Sequence, residues 1–445
     1  MAQKPLVLTV LGGGSYFTPS FIGTMVQRPH IWTGCEVRLN DLDTERVGLV
    51  KEFCEKYTER KKVPMTFIPQ PDLDASLDGA DFVITTFRIG GMRALTLDET
   101  IPPRFGYYGD ETAGPGGMFM AIRTVPVVMD IAQRMERLCP DAWMLNYANP
   151  THYVTAGVAR TTKIKSLGLC DNYVSPMGDI GVLLGIKDHR SIKVRHAGYN
   201  HCNWVYSAEY QGRDLLQELR DTSDEELYKS MENISERWQR GMKMALPLLR
   251  LTGWLSVGTG HAMPYFYHRE YLERQLASGT HGHARVPEVT KKKWDGLKAQ
   301  LKEYKDEEAD QVARTQHGGA HADLALGVAS SLAGDTESYY SVNMPNGTAV
   351  PGFAQKNVME FYARIGKGKA EPVPDIPQFP SLLYAQQQML YQYKELVMEG
   401  ILEKDKKKLE GALLIHPFTQ SAAKARELFA AMWEEEKDVH GAYWN

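Results

Sequence analysis

The sequence predicts an α/β fold in two parts, and three observations predict it. A short apolar, β-branched run at Leu6–Leu11 opens straight into Gly12-Gly13-Gly14. Strand and helix signals then alternate through the first third of the chain. Beyond about residue 195 the alternation stops and longer helical patterns take over. Strand–helix alternation builds a parallel sheet covered by helices on both faces, with ligands outside the carboxyl ends of the strands. Residues 1–195 are therefore expected to form a Rossmann-like domain. Residues 196–445 are expected to form an α+β domain for substrate and subunit contacts.

In chain order, Leu6–Leu11 and Glu36–Asn40 read as strands. Thr44–Lys61 puts Val47, Val50, Cys54 and Tyr57 on one helical face and charges on the other. Asp81–Phe87 is a third strand, reached through the turn-like Leu77-Asp78-Gly79-Ala80. A helix is expected from about Met118 to Leu138, kinked at Pro126, which lacks a backbone donor. Ala142–Tyr147 is a further apolar strand, ending at Asn149-Pro150. In the second half, Tyr210–Arg250 reads as mostly helical and Gly253–Gly260 as irregular. Glu288–Arg314 reads as a charged helix with a solvated face. A proline-rich surface loop, Pro372–Pro380, leads to two closing helices around Leu382–Leu402 and Ser421–Lys437.

Composition bounds the function. The chain has 445 residues, with 51 Lys+Arg against 55 Asp+Glu and a formal net charge of −4. That balance argues against a nucleic-acid partner, which needs clustered cations to displace counterions. No apolar run approaches the roughly 18–20 residues that span a bilayer, so no membrane partner is expected. The five cysteines form no C-x-x-C pair, which argues against a disulfide framework or a zinc knuckle and for a reducing compartment. With no signal-peptide pattern at the N-terminus, a cytoplasmic location is expected.

The turn Gly12-Gly13-Gly14-Ser15-Tyr16-Phe17 sits where a dinucleotide fold puts its phosphate loop. Glycine allows a tight turn and a close backbone approach, so the free N–H groups of the next helix meet the pyrophosphate. Phe17 stands where the usual spacing has its third glycine. Asp41 follows the second strand, 27 positions after Gly14, against a usual ~20. An acid there binds a ribose hydroxyl and favours NAD over NADP. Asp43 suits the cap of the following helix better.

Further motifs follow: Phe87-Arg88-Ile89-Gly90-Gly91-Met92, Gly109-Asp110-Glu111-Thr112-Ala113-Gly114-Pro115-Gly116-Gly117, and Asn146 with Asn149-Pro150. Later come Gly168-Leu169-Cys170-Asp171, Gly198-Tyr199-Asn200-His201 with Trp204, and Asn343-Met344-Pro345-Asn346-Gly347. In this order and spacing, over most of its length, the chain resembles glycoside hydrolase family 4, the NAD- and divalent-metal-dependent glycosidases. The resemblance implies a C-terminal architecture like that of lactate and malate dehydrogenases, and a homodimer or homotetramer. It implies NAD as cofactor, held by Gly12, Gly14, Ser15, Tyr16, Phe17, Asp41 and Arg88. It also implies a metal, usually Mn2+, on Cys170 and His201. Their separation of 31 residues pairs nothing by itself, and on residues alone they read as a buried thiol and a core imidazole. Two protein ligands leave positions open for substrate oxygens.

The implied activity is cleavage of a glycosidic bond by transient oxidation. NAD takes hydride from C3 of the sugar, a base removes the acidified C2 proton, the C1 substituent leaves, water adds, and hydride returns. The metal acts as a Lewis acid on the C2 and C3 oxygens. Tyr265 lies where the family carries its base, with Tyr267 an open alternative; either is also an ordinary packing ring. Asp171 matches the proposed acid of α-specific members, or else is a turn carboxylate.

Arg93, Asn149 and Asn200 are the expected substrate contacts. Both Arg88 and Arg93 suit a substrate anion, the cofactor or a structural carboxylate. An anionic group at C6 of the sugar is expected: phosphate, carboxylate or sulfonate. Thr151-His152, Asn172-Tyr173 and His317 depart from the phospho-specific pattern and weigh against phosphate. The rival function is an NAD-dependent 2-hydroxyacid or sugar dehydrogenase, which needs no Cys170–His201 pair and leaves net NADH.

Overall fold

A computed structural model describes residues 4–257, 266–268, 270, 272–273, 276, 286–314, 316–441 and 443–444. Six parallel strands come first: β1 (Val7–Leu11), β2 (Glu36–Asn40), β3 (Thr66–Pro69), β4 (Phe82–Thr85), β5 (Trp143–Asn146) and β6 (Lys165–Gly168). They stand in the order β3-β2-β1-β4-β5-β6. The order reverses between β1 and β4, the point at which a doubly wound sheet opens a ligand crevice. β1 is apolar and buried along its whole length, as a strand covered on both faces must be. Leu8 and Val10 face one core with α1 (Thr18–Val26) and α2 (Thr44–Arg60). Val7 and Leu11 face the other, with α3 (Pro115–Leu138) and α4 (Thr151–Thr161). α3 runs through Pro126 without a break in its helical span.

The sheet does not end at β6. It continues antiparallel through β11 (Ser338–Pro345), β12 (Val358–Gly366), β7 (Lys193–Tyr199), β8 (Cys202–Tyr210) and β10 (Leu255–Ser256). β9 (Arg213–Asp214) and β13 (Lys369–Pro372) pair at its margins. Residue 195 lies inside β7, where the pairing with β8 shifts register between Arg195 and His196. The helical stretch expected over Tyr210–Arg250 starts later, as Leu215–Asp221, Asp224–Ser230 and Glu236–Thr252. The charged run is two helices, α5 (Val286–Lys302) and Asp306–Ala313. Leu324, Ala325 and Val328 of α6 (Gln316–Leu332) join Leu8 and Val10 in one core. α1 approaches this second-half layer so closely that a Cβ on Gly23 would stand 2.3 Å from the Ala313 carbonyl oxygen. No helix among the described residues is long and apolar enough to cross a membrane.

Candidate active site

The glycine turn is built to be tight. Gly12 has φ +90°, in the left-handed region, and a Cβ there would lie 2.6 Å from the Thr86 carbonyl oxygen, so only glycine fits. The Gly12 and Gly13 N–H groups both donate to the Asn40 carbonyl at 2.9 Å, which ties the turn to the end of β2. Asp41 accepts from Gly14 N–H at 3.0 Å and from Asp43 N–H at 3.1 Å. Asp43 itself caps α2 through Arg46 N–H at 3.0 Å. The turn opens on a cavity of about 590 Å3, and every residue expected at the cofactor lines it: Gly12, Gly14, Ser15, Tyr16, Phe17, Asp41 and Arg88. Asn149 lines it too. Two further lining residues, Arg46 and Trp294, escaped sequence reasoning. Arg46 lies 5.3 Å over the Trp294 ring. The available signal was a lone tryptophan inside a lysine-rich run.

Arg88 forms an ion pair with Glu111, in the turn that precedes α3. Glu111 also accepts from Asn149 Nδ2 at 3.4 Å, so one carboxylate joins the cavity arginine to the expected substrate asparagine. Arg93 does not join them. It lies on the helix Gly91–Thr100, whose outer face meets the C-terminal segment. There its guanidinium pairs with Asp438 at 2.8 Å and donates to the Glu435 carbonyl at 3.0 Å, both in an exposed setting.

Cys170 follows β6 and His201 sits at the tip of the β7–β8 hairpin. The hairpin tip has the uncommon φ of +61° at His201. Cys170 Sγ and His201 Nε2 are 3.4 Å apart and both residues are buried. A single ion with bonds of about 2.0–2.3 Å to nitrogen and sulfur can bridge that separation. One ion therefore fits both donors without a shift of either. Among the described residues no group of three or more His, Cys, Asp or Glu side chains could hold a metal, and these two donors stand as a pair. Burial pushes the Cys170 thiol up, with Glu360 and Asp171 adding to the effect, while a hydrogen bond from Asn200 favours the thiolate. Asn200, expected at the substrate, is buried, its Nδ2 donating to Glu360 at 2.9 Å. Asp171 opens the short helical turn Asp171–Val174. Tyr265 lies outside the described residues. Tyr267 packs on Trp204 with ring centroids 6.4 Å apart. Burial, with Cys202 nearby, pushes its phenol up.

The model of the family 4 glycosyl hydrolases matches residues 7–186, and that of the family 4 glycosyl hydrolase C-terminal domain matches 196–419. The chain belongs to glycosyl hydrolase family 4. A 6-phospho-beta-glucosidase of Escherichia coli is 31% identical to this hydrolase over 389 residues, covering 85% of this chain and 83% of the relative. Among solved structures, a 6-phospho-alpha-glucosidase from gut microorganisms, in complex with NAD and Mn2+, superposes with a TM-score of 0.81 at 22% identity. It covers 98% of this chain and 99% of its own. Malate dehydrogenase from Plasmodium falciparum reaches a TM-score of 0.51 at 10% identity, covering 95% and 99%. Both superpositions speak to fold. The family 4 architecture joins the parallel nucleotide-type sheet and the antiparallel half into the dehydrogenase-like whole that the sequence predicts.

Proposed function

We propose that this family 4 hydrolase cleaves glycosides whose sugar carries an anionic group at C6, 6-phosphate foremost. NAD occupies the cavity at the glycine turn, and a divalent metal, Mn2+ foremost, sits on Cys170 and His201. The observation that carries this function is a ligand pair 3.4 Å apart beside that cavity. Tyr147, on the cavity wall, follows Asn146, whose carbonyl accepts from Leu169 N–H at 2.9 Å, one residue before Cys170. The Escherichia coli relative's name supports the phosphate, and the gut enzyme's complex supports both cofactors.

Bound together, the nucleotide and the metal supply a reversible hydride acceptor and a Lewis acid beside the sugar. The chain's own residues do the rest. The Gly12–Phe17 backbone receives the pyrophosphate and Asp41 the ribose. Glu111 holds Arg88 and Asn149 in one hydrogen-bonded wall, so the Asn149 amide meets the sugar in a fixed orientation. Tyr265 takes the C2 proton and Asp171 protonates the leaving oxygen. Tyr267 is poorly suited to be the base, because its surroundings disfavour the phenolate that a base requires.

The test is turnover of chromogenic glycosides bearing 6-phosphate, a C6 carboxylate or a C6 sulfonate, with NAD, Mn2+ and a reductant. Aglycone release and NADH absorbance are followed together. Release without accumulating NADH is expected, fastest on the 6-phosphate. Stoichiometric NADH with no release would instead mark a dehydrogenase. Tyr265→Phe should lower kcat about 100- to 10,000-fold, the usual contribution of a positioned base, and abolish solvent exchange at C2. Tyr267→Phe should leave both near wild type.

A further inference from the structure

Behind the cofactor cavity lies a buried charge cluster that the mechanism does not use. Its members are Arg123 of α3, Asp98 of the helix Gly91–Thr100 and Glu436, just past the helix Ala422–Glu435. All three are buried, none more than 1% exposed. One Arg123 Nη donates to Asp98 at 3.1 Å and to Glu436 at 2.7 Å, and the other donates to Asp98. That leaves Nε, which donates to the Ile89 backbone carbonyl at 3.1 Å. Every nitrogen of the guanidinium therefore has a partner.

Two buried carboxylates around one guanidinium are costly to keep, since each charge is stripped of water. What the cluster does is pin a turn. Arg88, Ile89, Gly91 and Met92 line the cavity at the glycine turn, and Ile89 is where Arg123 takes hold. Gly90, between them, has φ +80°. A Cβ there would stand 2.5 Å from Ala94 Cβ, 3.5 Å from Val439 Cγ1 and 3.6 Å from Arg123 Nε. The turn is thus pressed between its own helix, the C-terminal segment and Arg123. On the surface, Arg93 and Asp438 fasten the same helix to the same segment. Arg88 runs from this turn to Glu111, which Asn149 also meets, so a shift of the turn moves one end of the cavity wall.

We propose that Arg123 is a positioning residue for the cofactor cavity, fixing the Arg88–Met92 turn through the Ile89 carbonyl, with Glu436 of the C-terminal segment holding its guanidinium in place. The proposal rests on NAD occupying that cavity. A planar fork with five donors meets a carbonyl and two carboxylates at once, which a single ammonium cannot do in the same geometry. A segment of the second half thereby shapes a cavity built largely by the first.

Calorimetric titration with NAD tests this without turnover. Arg123→Lys keeps the charge and loses the Nε donor, and should weaken NAD about 10-fold, the worth of a hydrogen bond from a charged group. Glu436→Ala should weaken NAD at least about threefold. Glu436→Gln keeps an acceptor oxygen for Arg123 and should recover most of the affinity; this pair carries the test if Arg123→Lys does not fold. A role in stability alone would lower the melting temperature and leave NAD affinity where it is. Co2+ affinity at Cys170 and His201, read by the thiolate-to-cobalt charge-transfer band, should be unchanged in each variant. Wild-type NAD affinity in Arg123→Lys or Glu436→Ala, or a parallel loss of Co2+ affinity, overturns the proposal and leaves the cavity assignment standing. No NAD binding by the wild type overturns the cavity assignment and the proposal with it.

Discussion

Cys170 and His201 show where sequence reasoning at single residues runs out. Local metal motifs are readable because a short turn fixes both ligands. Here the two donors meet because β11 and β12, which come much later in the chain, lie between β6 and β7 and set how their ends face each other. No spacing within the chain encodes that, and only the family resemblance paired them. The glycine turn was readable for the opposite reason, since its constraint is local: a left-handed Gly12 pressed on Thr86. Arg88 precedes the helix Gly91–Thr100 and Arg93 lies on it, so residues close in sequence part to cavity and surface where the helix begins. Cys170→Ser follows from the pair's geometry. The variant should lose metal-dependent turnover while NAD titration remains at the wild-type affinity, and full activity in Cys170→Ser would refute the ligand assignment.

Elements were readable where burial is uniform. β1, β4 and β5 are apolar runs because helices cover both faces. β11 and β12 carry Asn343 and Glu360 into the interior, and buried polar residues break the apolar signal that betrays a strand. α5 misled in the other direction. Lys291, Lys292, Lys298 and Lys302 do face solvent, yet the same helix delivers Trp294 to the cavity beside Arg46. A flat indole at a nucleotide cavity is suited to stack on a base. Removing such a stacking partner costs about 1–3 kcal/mol. Trp294→Ala should therefore weaken NAD at least about fivefold, measured by calorimetry, with Co2+ affinity unchanged. Equal NAD affinity in the variant would show that α5 only covers the site.

At the scale of the whole molecule, one sheet and shared cores tie the halves together, and Lys394 sits within that shared interior. It lies on α7 (Ser381–Glu403), 3% exposed. Its Nζ is 4.6 Å from the centroid of the Tyr153 ring, on α4, and 5.5 Å from that of Tyr199, at the end of β7. Burial lowers its ammonium from 10.5 to about 8. Between pH 8 and 10.5 the unfolded chain therefore binds more protons at this group than the folded one, and stability gained there rises with pH. That contribution is complete above 10.5 and is lost as pH falls through about 8. At pH 7 the buried charge costs about 3 kcal/mol by the size of the shift, offset by about 2 kcal/mol from two desolvated cation–π contacts. Lys394→Met should then be more stable than wild type by about 1 kcal/mol at neutral pH. Its advantage should shrink steadily through the alkaline window. Urea unfolding of both proteins from neutral to alkaline pH reads the difference directly, which cancels the tyrosines and cysteines that titrate in the same range. Because the halves share a sheet, secondary structure and tryptophan fluorescence should report a single common transition. A Met variant less stable at neutral pH, with the wild-type pH slope intact, would show that Lys394 keeps its ordinary pKa in the fold.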